Sequence, residues 1–252
     1  MSVVIIIPTY NESENVRVVF DNVHVAMPEA RVLFVDDNSP DGTRDSIRSL
    51  QKSHPDTVSL LDRGKKEGLG KAYVAGYTHA LAAWPDAKLF IQMDADLSHD
   101  PAYLPGMVAE AATADLVVAS RYVEGVSIVN WPLHRLIISK LGTAFARTVT
   151  GLPITDCTSG FKCYRREVLE AIGLDTIRSN GYVFQVESNF RAWRMGFRLE
   201  DFSIIFYERQ RGQSKLNLSI ALEAFVMVCR LGLQRLFVKP GQVKDVNVKP
   251  VP

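Results

Sequence analysis

The 252-residue chain is short of cysteine, of net charge and of long apolar runs, and each shortage excludes something. Three cysteines, Cys157, Cys163 and Cys229, are too few and too irregularly spaced for a disulfide framework or a zinc site; they read as reduced, mostly buried thiols. A net charge of +1 excludes a protein that binds nucleic acid through bulk positive charge. No stretch reaches the roughly 18 apolar residues that a bilayer-spanning helix needs. The apolar run that starts at Val3 stops at Pro8 and has no basic segment before it, so no secretory leader is expected. Internal repeats and low-complexity blocks are lacking too. Any membrane contact is therefore expected to be peripheral, or lent by a partner subunit.

What is present is an alternation. Short, bulky, apolar runs at residues 3–7, 32–35, 58–61, 89–93 and 116–119 lack polar alternation, as strands covered on both faces do. Helical patterns lie between them, near residues 13–25, 43–51, 69–84 and 101–112. Strand and helix in turn predict an α/β fold with a mainly parallel sheet flanked by helices. In such sheets ligands sit beyond the carboxyl ends of the strands. The second half is less regular. Helices are expected over residues 133–150, 166–172, 183–195 and 216–237, a strand over 161–164 and an extended stretch over 197–206. Residues 1–238 read as one domain, and residues 239–252, with three prolines, as a flexible tail.

Two acidic pairs fall where that rule places ligands. Asp36 and Asp37 follow the second strand; Asp94 and Asp96 follow the fourth. The first pair belongs to a turn, Asp36-Asp37-Asn38-Ser39-Pro40-Asp41-Gly42-Thr43, in which Asp41 or Thr43 can simply cap the next helix. In the second, Asp94-Ala95-Asp96, an extended chain would point both carboxylates to one side. Hard oxygen ligands on a short stretch suit Mg²⁺ or Mn²⁺, completed by water and substrate phosphates. Gly68-Leu69-Gly70-Lys71 is not a phosphate-binding fingerprint, because Lys65 and Ala72 stand at two of its defining positions. It reads as a helix start, plain or anion-binding, with Arg63, Lys65 and Lys71 nearby. The last helix, 216–238, carries a narrow polar stripe of Ser219, Glu223, Arg230 and Gln234; it fits core packing and membrane contact equally.

The motifs together resemble the family 2 glycosyltransferases of the GT-A, Rossmann-like type, and within them the dolichyl-phosphate mannosyltransferases. The likeness runs through Ile7-Pro8-Thr9-Tyr10-Asn11-Glu12, Asp36 to Thr43, Asp94-Ala95-Asp96-Leu97-Ser98-His99, Ser120-Arg121-Tyr122, Thr155-Asp156-Cys157-Thr158-Ser159-Gly160-Phe161, Gly181-Tyr182-Val183-Phe184-Gln185-Val186-Glu187, and Glu208-Arg209 with Gly212, Ser214 and Lys215. The resemblance implies roles. Pro8, Tyr10, Glu12, Asp37, Asp41, Lys71 and Ala95 would line the nucleotide-sugar site; Asp94 and Asp96, with Ser98, would bind the metal. Asp156, Gln185 and Glu187 would lie near the transferred sugar. Arg121, Arg135, Arg209 and Lys215 would grip the acceptor phosphate and neutralise the diphosphate. It also implies an inverting transfer of mannose from GDP-mannose to dolichyl or polyprenyl phosphate on the cytoplasmic face of a membrane, with Mg²⁺ or Mn²⁺ and with small partner subunits as membrane anchors. The alternatives are the same transfer with UDP-glucose, and a non-catalytic subunit that binds nucleotide or lipid phosphate.

Overall fold

A computed structural model describes residues 2–177, 179, 181–208 and 218–237. Strands β1 (Val3–Thr9), β2 (Arg31–Asp36), β3 (Val58–Asp62), β4 (Leu89–Gln92) and β5 (Leu116–Ser120) alternate with helices α1 (Val16–Ala26), α2 (Thr43–Ser53), α3 (Leu69–Ala83) and α4 (Leu104–Glu110). After β5 come β6 (Ile128–Val129), α5 (Leu133–Thr150), β7 (Lys162–Arg165), α6 (Arg166–Ala171), α7 (Gly181–Arg194), β8 (Leu199–Ser203), β9 (Phe206–Tyr207) and α8 (Leu218–Phe237). Seven strands form one sheet in the order β3-β2-β1-β4-β7-β5-β8. All pairs are parallel except those of β7, which runs against both of its neighbours.

The apolar runs explain the layering. Along β1, Val4 and Ile6 join a core on one face with Tyr73, Tyr77 and Phe184, while Val3, Ile5 and Ile7 join a second core on the other with Phe20, Phe34 and Ile47. Successive side chains on a strand alternate faces, so a strand apolar at every position feeds two cores. Each such side chain contributes about 1.5–3 kcal/mol on burial. The parallel strands β1, β2, β4 and β5 therefore end at one edge, and β7, being reversed, starts there.

Three expectations shift. The helix expected over 101–112 opens as a 3-10 turn at Pro101–Tyr103, capped by Asp100 through the Ala102 N–H. Pro105 has no N–H to give to the Pro101 carbonyl, so an α-helical first turn cannot form there. The extended stretch 197–206 splits: β8 lines β5, which ends at Ser120, and the chain then leaves the main sheet so that β9 pairs with β6. The last helix divides between its expected uses: one side packs, while Phe225, Val226 and Leu233 stay exposed. Val228 and Leu231 enter the core, Phe225 stacks on Phe145 with centroids 5.1 Å apart, and Gly232 lies directly against Val149. Among the described residues no helix is long and apolar enough to cross a membrane.

Gly76 lets α3 approach the sheet: a Cβ there would stand 2.7 Å from Ile6 Cγ2 and 2.9 Å from Val35 Cγ2. Gly142 on α5 faces open space. Gly76→Ala is expected to lose about 1–3 kcal/mol to overpacking, more than the ~0.5–1 kcal/mol alanine gains in a helix. Gly142→Ala should gain only the latter. Urea denaturation midpoints of the two variants check this.

Candidate active site

The first acidic pair builds the edge. Asp36 is fully buried and accepts from the Thr9 hydroxyl (2.9 Å), the Ser39 N–H (2.8 Å) and the Ser39 hydroxyl (2.6 Å), tying β1 to the turn after β2. Asp37 pairs with Arg63 and accepts the Glu67 N–H at 3.3 Å, which draws the segment before α3 over the sheet edge. From that segment Lys66 sits 3.5 Å from the centre of the Tyr10 ring. Tyr10 and Asp37 thus flank one corner, beside Pro8 on β1. Asn11 and Asn38, each just past a strand, adopt left-handed φ values of 61° and 62° that turn the backbone there.

Asp41 makes the turn contacts expected of it. It accepts from the Thr43 N–H (3.1 Å) and hydroxyl (2.5 Å) and from the Ser13 N–H (3.2 Å), closing the start of α2 onto the loop after β1. Burial pushes its carboxyl up, but the hydrogen bonds from Thr43 and Ser13 outweigh that and hold it below its usual value. Glu12 belongs to the same knot, giving its N–H to the Thr43 hydroxyl and accepting from the Asn15 amide at 2.7 Å. Lys71 is exposed and faces Glu67 at 3.4 Å.

Asp94 and Asp96 lie just past β4, but not on extended chain. The strand ends at Gln92, and a bend follows with Leu97 at φ 64°. Each carboxylate is instead oriented by a hydroxyl. Tyr73 donates to Asp94 Oδ1 at 2.8 Å; Ser98 donates to Asp96 Oδ1 through both its hydroxyl (2.5 Å) and its N–H (3.2 Å). Ser98, expected as a third metal ligand, is buried and supports Asp96. His99 Nδ1 accepts the Asp94 N–H at 3.0 Å, and the ring stacks on Phe161 at 4.9 Å. Among the described residues no three His, Cys, Asp or Glu side chains cluster as a metal cage. Two pre-oriented carboxylates fit a cation that completes its shell with water and phosphate oxygens.

Gly160 brings the pieces together. A Cβ at Gly160 would be 3.5 Å from Asp94 Oδ2, 3.5 Å from Gln185 Nε2 and 3.6 Å from His99 Cε1. The orientation of Gln185 follows from Gln92. Gln92 Nε2 donates to the Gly160 carbonyl (2.9 Å) and to Gln185 Oε1 (2.8 Å), while Tyr77 donates to Gln92 Oε1 (2.9 Å). A backbone carbonyl only accepts, so the nitrogen of Gln92 must be the atom facing it. The oxygen of Gln185 is then fixed on Gln92, and its NH₂ is the end beside Asp94. Lys162 holds the backbone underneath, donating to the Gln185 carbonyl at 3.0 Å and to Ser188 at 3.2 Å; burial pushes its pKa well down. Glu187, two residues after Gln185, points round the other side of α7 to Arg191 (2.6 Å) and Ser179, and so braces the helix. Sequence reading missed Gln92, Tyr73 and Tyr77 as site residues. The signal was there: a glutamine inside a buried strand needs partners, and tyrosines four apart share a helix face.

The basic residues meet at Trp131. Arg121, just past β5, makes a two-pronged pair with Asp156 (2.6 and 2.8 Å) and reaches the Thr158 hydroxyl at 3.0 Å. Its guanidinium lies 5.4 Å from the Trp131 ring, and that of Arg135 lies 4.1 Å from it. Arg135 also pairs with Glu208. Asp156, expected beside the sugar, is 0 % exposed and serves as the counter-ion of Arg121. Burial drives the Asp156 carboxyl up, but the charge and hydrogen bonds of Arg121 outweigh this and hold it below the usual range. Arg209 and Lys215 lie outside the described residues.

Removing Asp156 strands a buried guanidinium. Asp156→Ala is expected to cost about 3–5 kcal/mol, read from the urea midpoint at neutral pH. Because the folded pKa of Asp156 lies below its unfolded value, this stability is fully present above the ordinary carboxylate pKa. It is lost as the pH falls through the lower, folded value, so the gap between wild type and variant should narrow in acid.

Against known proteins, the profile of Glycosyl transferase family 2 matches residues 4–173. The undecaprenyl-phosphate mannosyltransferase of Micrococcus luteus is 45% identical over 233 residues, 92% of this chain and 95% of that one. The polyprenol monophosphomannose synthase of Mycolicibacterium smegmatis is 42% identical over 231 residues, 91% of this chain and 86% of that one. Among solved structures, glucosyl-3-phosphoglycerate synthase of Mycobacterium tuberculosis, in complex with Mn²⁺, UDP and glucosyl-3-phosphoglycerate, superposes with a TM-score of 0.61 at 17% identity, over 98% of this chain and 82% of that one. The mannosyltransferase PcManGT of Pyrobaculum calidifontis, in complex with GDP-Man and Mn²⁺, gives 0.56 at 19% identity, over 96% and 76%. The structural likenesses bear on the fold, which is that of GT-A enzymes, and the sequence matches on descent: the chain belongs to glycosyl transferase family 2.

Proposed function

We propose that this protein transfers a mannosyl group from GDP-mannose to polyprenyl phosphate, inverting the anomeric centre. The observation that carries the reading is the pair Asp94 and Asp96, each oriented by a hydroxyl, at the sheet edge beside the Gln185 amide. The names of the two relatives supply the sugar and the lipid, and the PcManGT complex supports the GDP-linked donor and a divalent cation.

The chemistry asks little of a base. A phosphate monoester has a second pKa of about 6, so the attacking oxygen is already charged near neutrality. Direct displacement without an enzyme nucleophile inverts the centre. The difficulty is the departing diphosphate. A divalent cation on Asp94 and Asp96 supplies Lewis-acid stabilisation of that charge when bound. Gln185 aims an N–H into the same space, and preset donors of this kind stabilise charge as it develops. The acceptor is an anion approaching another anion. Arg121 is committed to fully buried Asp156, whereas the partner of Arg135, Glu208, is 28% exposed. Arg135 and Glu208 border solvent at 18% and 28% exposure, so of the two pairs theirs is the one in which a phosphate can replace the carboxylate. This makes Arg135 the described acceptor residue, with Arg209 and Lys215 completing the set.

Helix α5 joins α8 as a membrane-facing surface in this reading. Leu133, Ile137 and Leu141, at four-residue spacing, are 70%, 48% and 66% exposed. The helix has no acidic residue, carries Lys140 and Arg147 as well as Arg135, and begins beside Trp131. An apolar stripe with basic flanks is the pattern of a helix lying in a lipid interface. It would bring the headgroup of a prenyl phosphate to Arg135.

Two measurements test these readings. With polyprenyl phosphate as acceptor, label should pass from GDP-mannose and not from UDP-glucose, and Asp96→Ala should abolish transfer with an unchanged thermal midpoint. Near-normal turnover by that variant refutes the metal role. Ile137→Glu with Leu141→Glu should abolish flotation with anionic liposomes; undiminished flotation rejects α5 as the contact.

A further inference from the structure

Helix α3 turns two tyrosines toward the sheet, Tyr73 and Tyr77, one turn apart and both buried. Their hydroxyls serve different ends. Tyr77 donates to Gln92 Oε1 at 2.9 Å, whereas Tyr73 donates to Asp94 Oδ1 at 2.8 Å. The Tyr73 ring has little freedom to turn. It lies parallel to Phe184, with centroids 5.8 Å apart and planes at 7°, and stacks on Tyr77 at 6.0 Å and 23°. A hydroxyl carried on a ring held from both sides is a fixed donor.

Asp94 is therefore held at two levels. His99 takes its backbone N–H at 3.0 Å, and Tyr73 takes one oxygen of its carboxylate. The other oxygen, Oδ2, is the one that faces Gly160 and the Gln185 amide. Asp96 is arranged differently, by Ser98 within its own turn. The orientation of Asp94 thus depends on an element 21 residues away in sequence.

We propose that Tyr73 is a positioning residue for the metal site: it rotates the Asp94 carboxylate so that one oxygen, Oδ2, is presented to a divalent cation. The inference rests on the reading of Asp94 as a metal ligand and adds a consequence for selectivity. Mg²⁺ and Mn²⁺ sit in compact shells to which a carboxylate gives one oxygen, while Ca²⁺ accepts both oxygens of a carboxylate in a larger, looser shell. A carboxylate with one oxygen engaged by a phenol disfavours the second mode. Tyr73 then both strengthens binding of the small cations and biases the site against Ca²⁺.

The test uses the full chain with GDP present. Mn²⁺ binding is read from the paramagnetic resonance signal of the free ion, and Ca²⁺ binding by competition against Mn²⁺. Tyr73→Phe keeps the stacked ring and removes one oxygen atom; Tyr103→Phe makes the same change at a hydroxyl that accepts the Ile205 N–H at 3.0 Å, off the carboxylates and their network. Outer partners of metal ligands are typically worth about 10–100-fold in affinity, so Tyr73→Phe should weaken Mn²⁺ by that factor and Ca²⁺ by distinctly less. Tyr103→Phe should leave both affinities as in wild type. Wild-type Mn²⁺ affinity in Tyr73→Phe, or equal weakening in both variants, overturns the assignment. Asp94→Ala separates the two levels. If it loses Mn²⁺ while Tyr73→Phe keeps it, only the role of Tyr73 falls; if it binds Mn²⁺ like wild type, the metal reading falls and takes this inference with it.

Discussion

Because β1, β2, β4 and β5 are buried on both faces, the sheet tolerates charge only where its strands end, and the rest of the molecule follows from that constraint. Asp36, Asp37, Asp94, Asp96 and Arg121 all stand within a few residues of a strand terminus on one edge. The reversed strand β7 contributes by starting there, which delivers Gly160 next to Asp94. A sheet made wholly of parallel strands would have carried that glycine to the opposite edge.

The polar groups that enter the interior beneath the site are answered by named partners. Arg121 has Asp156, Gln92 has Tyr77, Gly160 and Gln185, and Lys162 has a carbonyl and a hydroxyl. Such networks are costly when incomplete and specific when complete. They leave the residues at the rim in set orientations, so the side chains that meet substrate need little rearrangement. Arg121 and Arg135 differ in the same terms: the pair of the first is enclosed, and that of the second borders solvent.

Much of this was legible in the sequence, since hydrophobic runs and strand-end carboxylates are local signals. The apolar runs located the strands, and the two acidic pairs marked the edge. What stayed hidden is long-range or conformational. The pairing of Arg121 with Asp156 spans 35 residues, and nothing local announces it. The bend at Ala95 and Asp96 takes the pair out of extended geometry, and the left-handed Leu97 that follows is a residue type that seldom adopts that backbone. Glu187 stands two residues after Gln185 in a shared motif, yet the turn of a helix sends them to different sides. The apolar helix α8 looked the same for core and membrane use; its packing on α5, Phe225 against Phe145 and Gly232 against Val149, is a long-range contact that no local pattern announces.

The carbonyl of Gly160 has an effect well beyond its own bond. By accepting from Gln92 it sets the polarity of a chain of amides, and the last member, Gln185, has only hydrogens left to show toward the site. One main-chain atom thereby decides which end of a distant side-chain amide lies beside the Asp94 carboxylate.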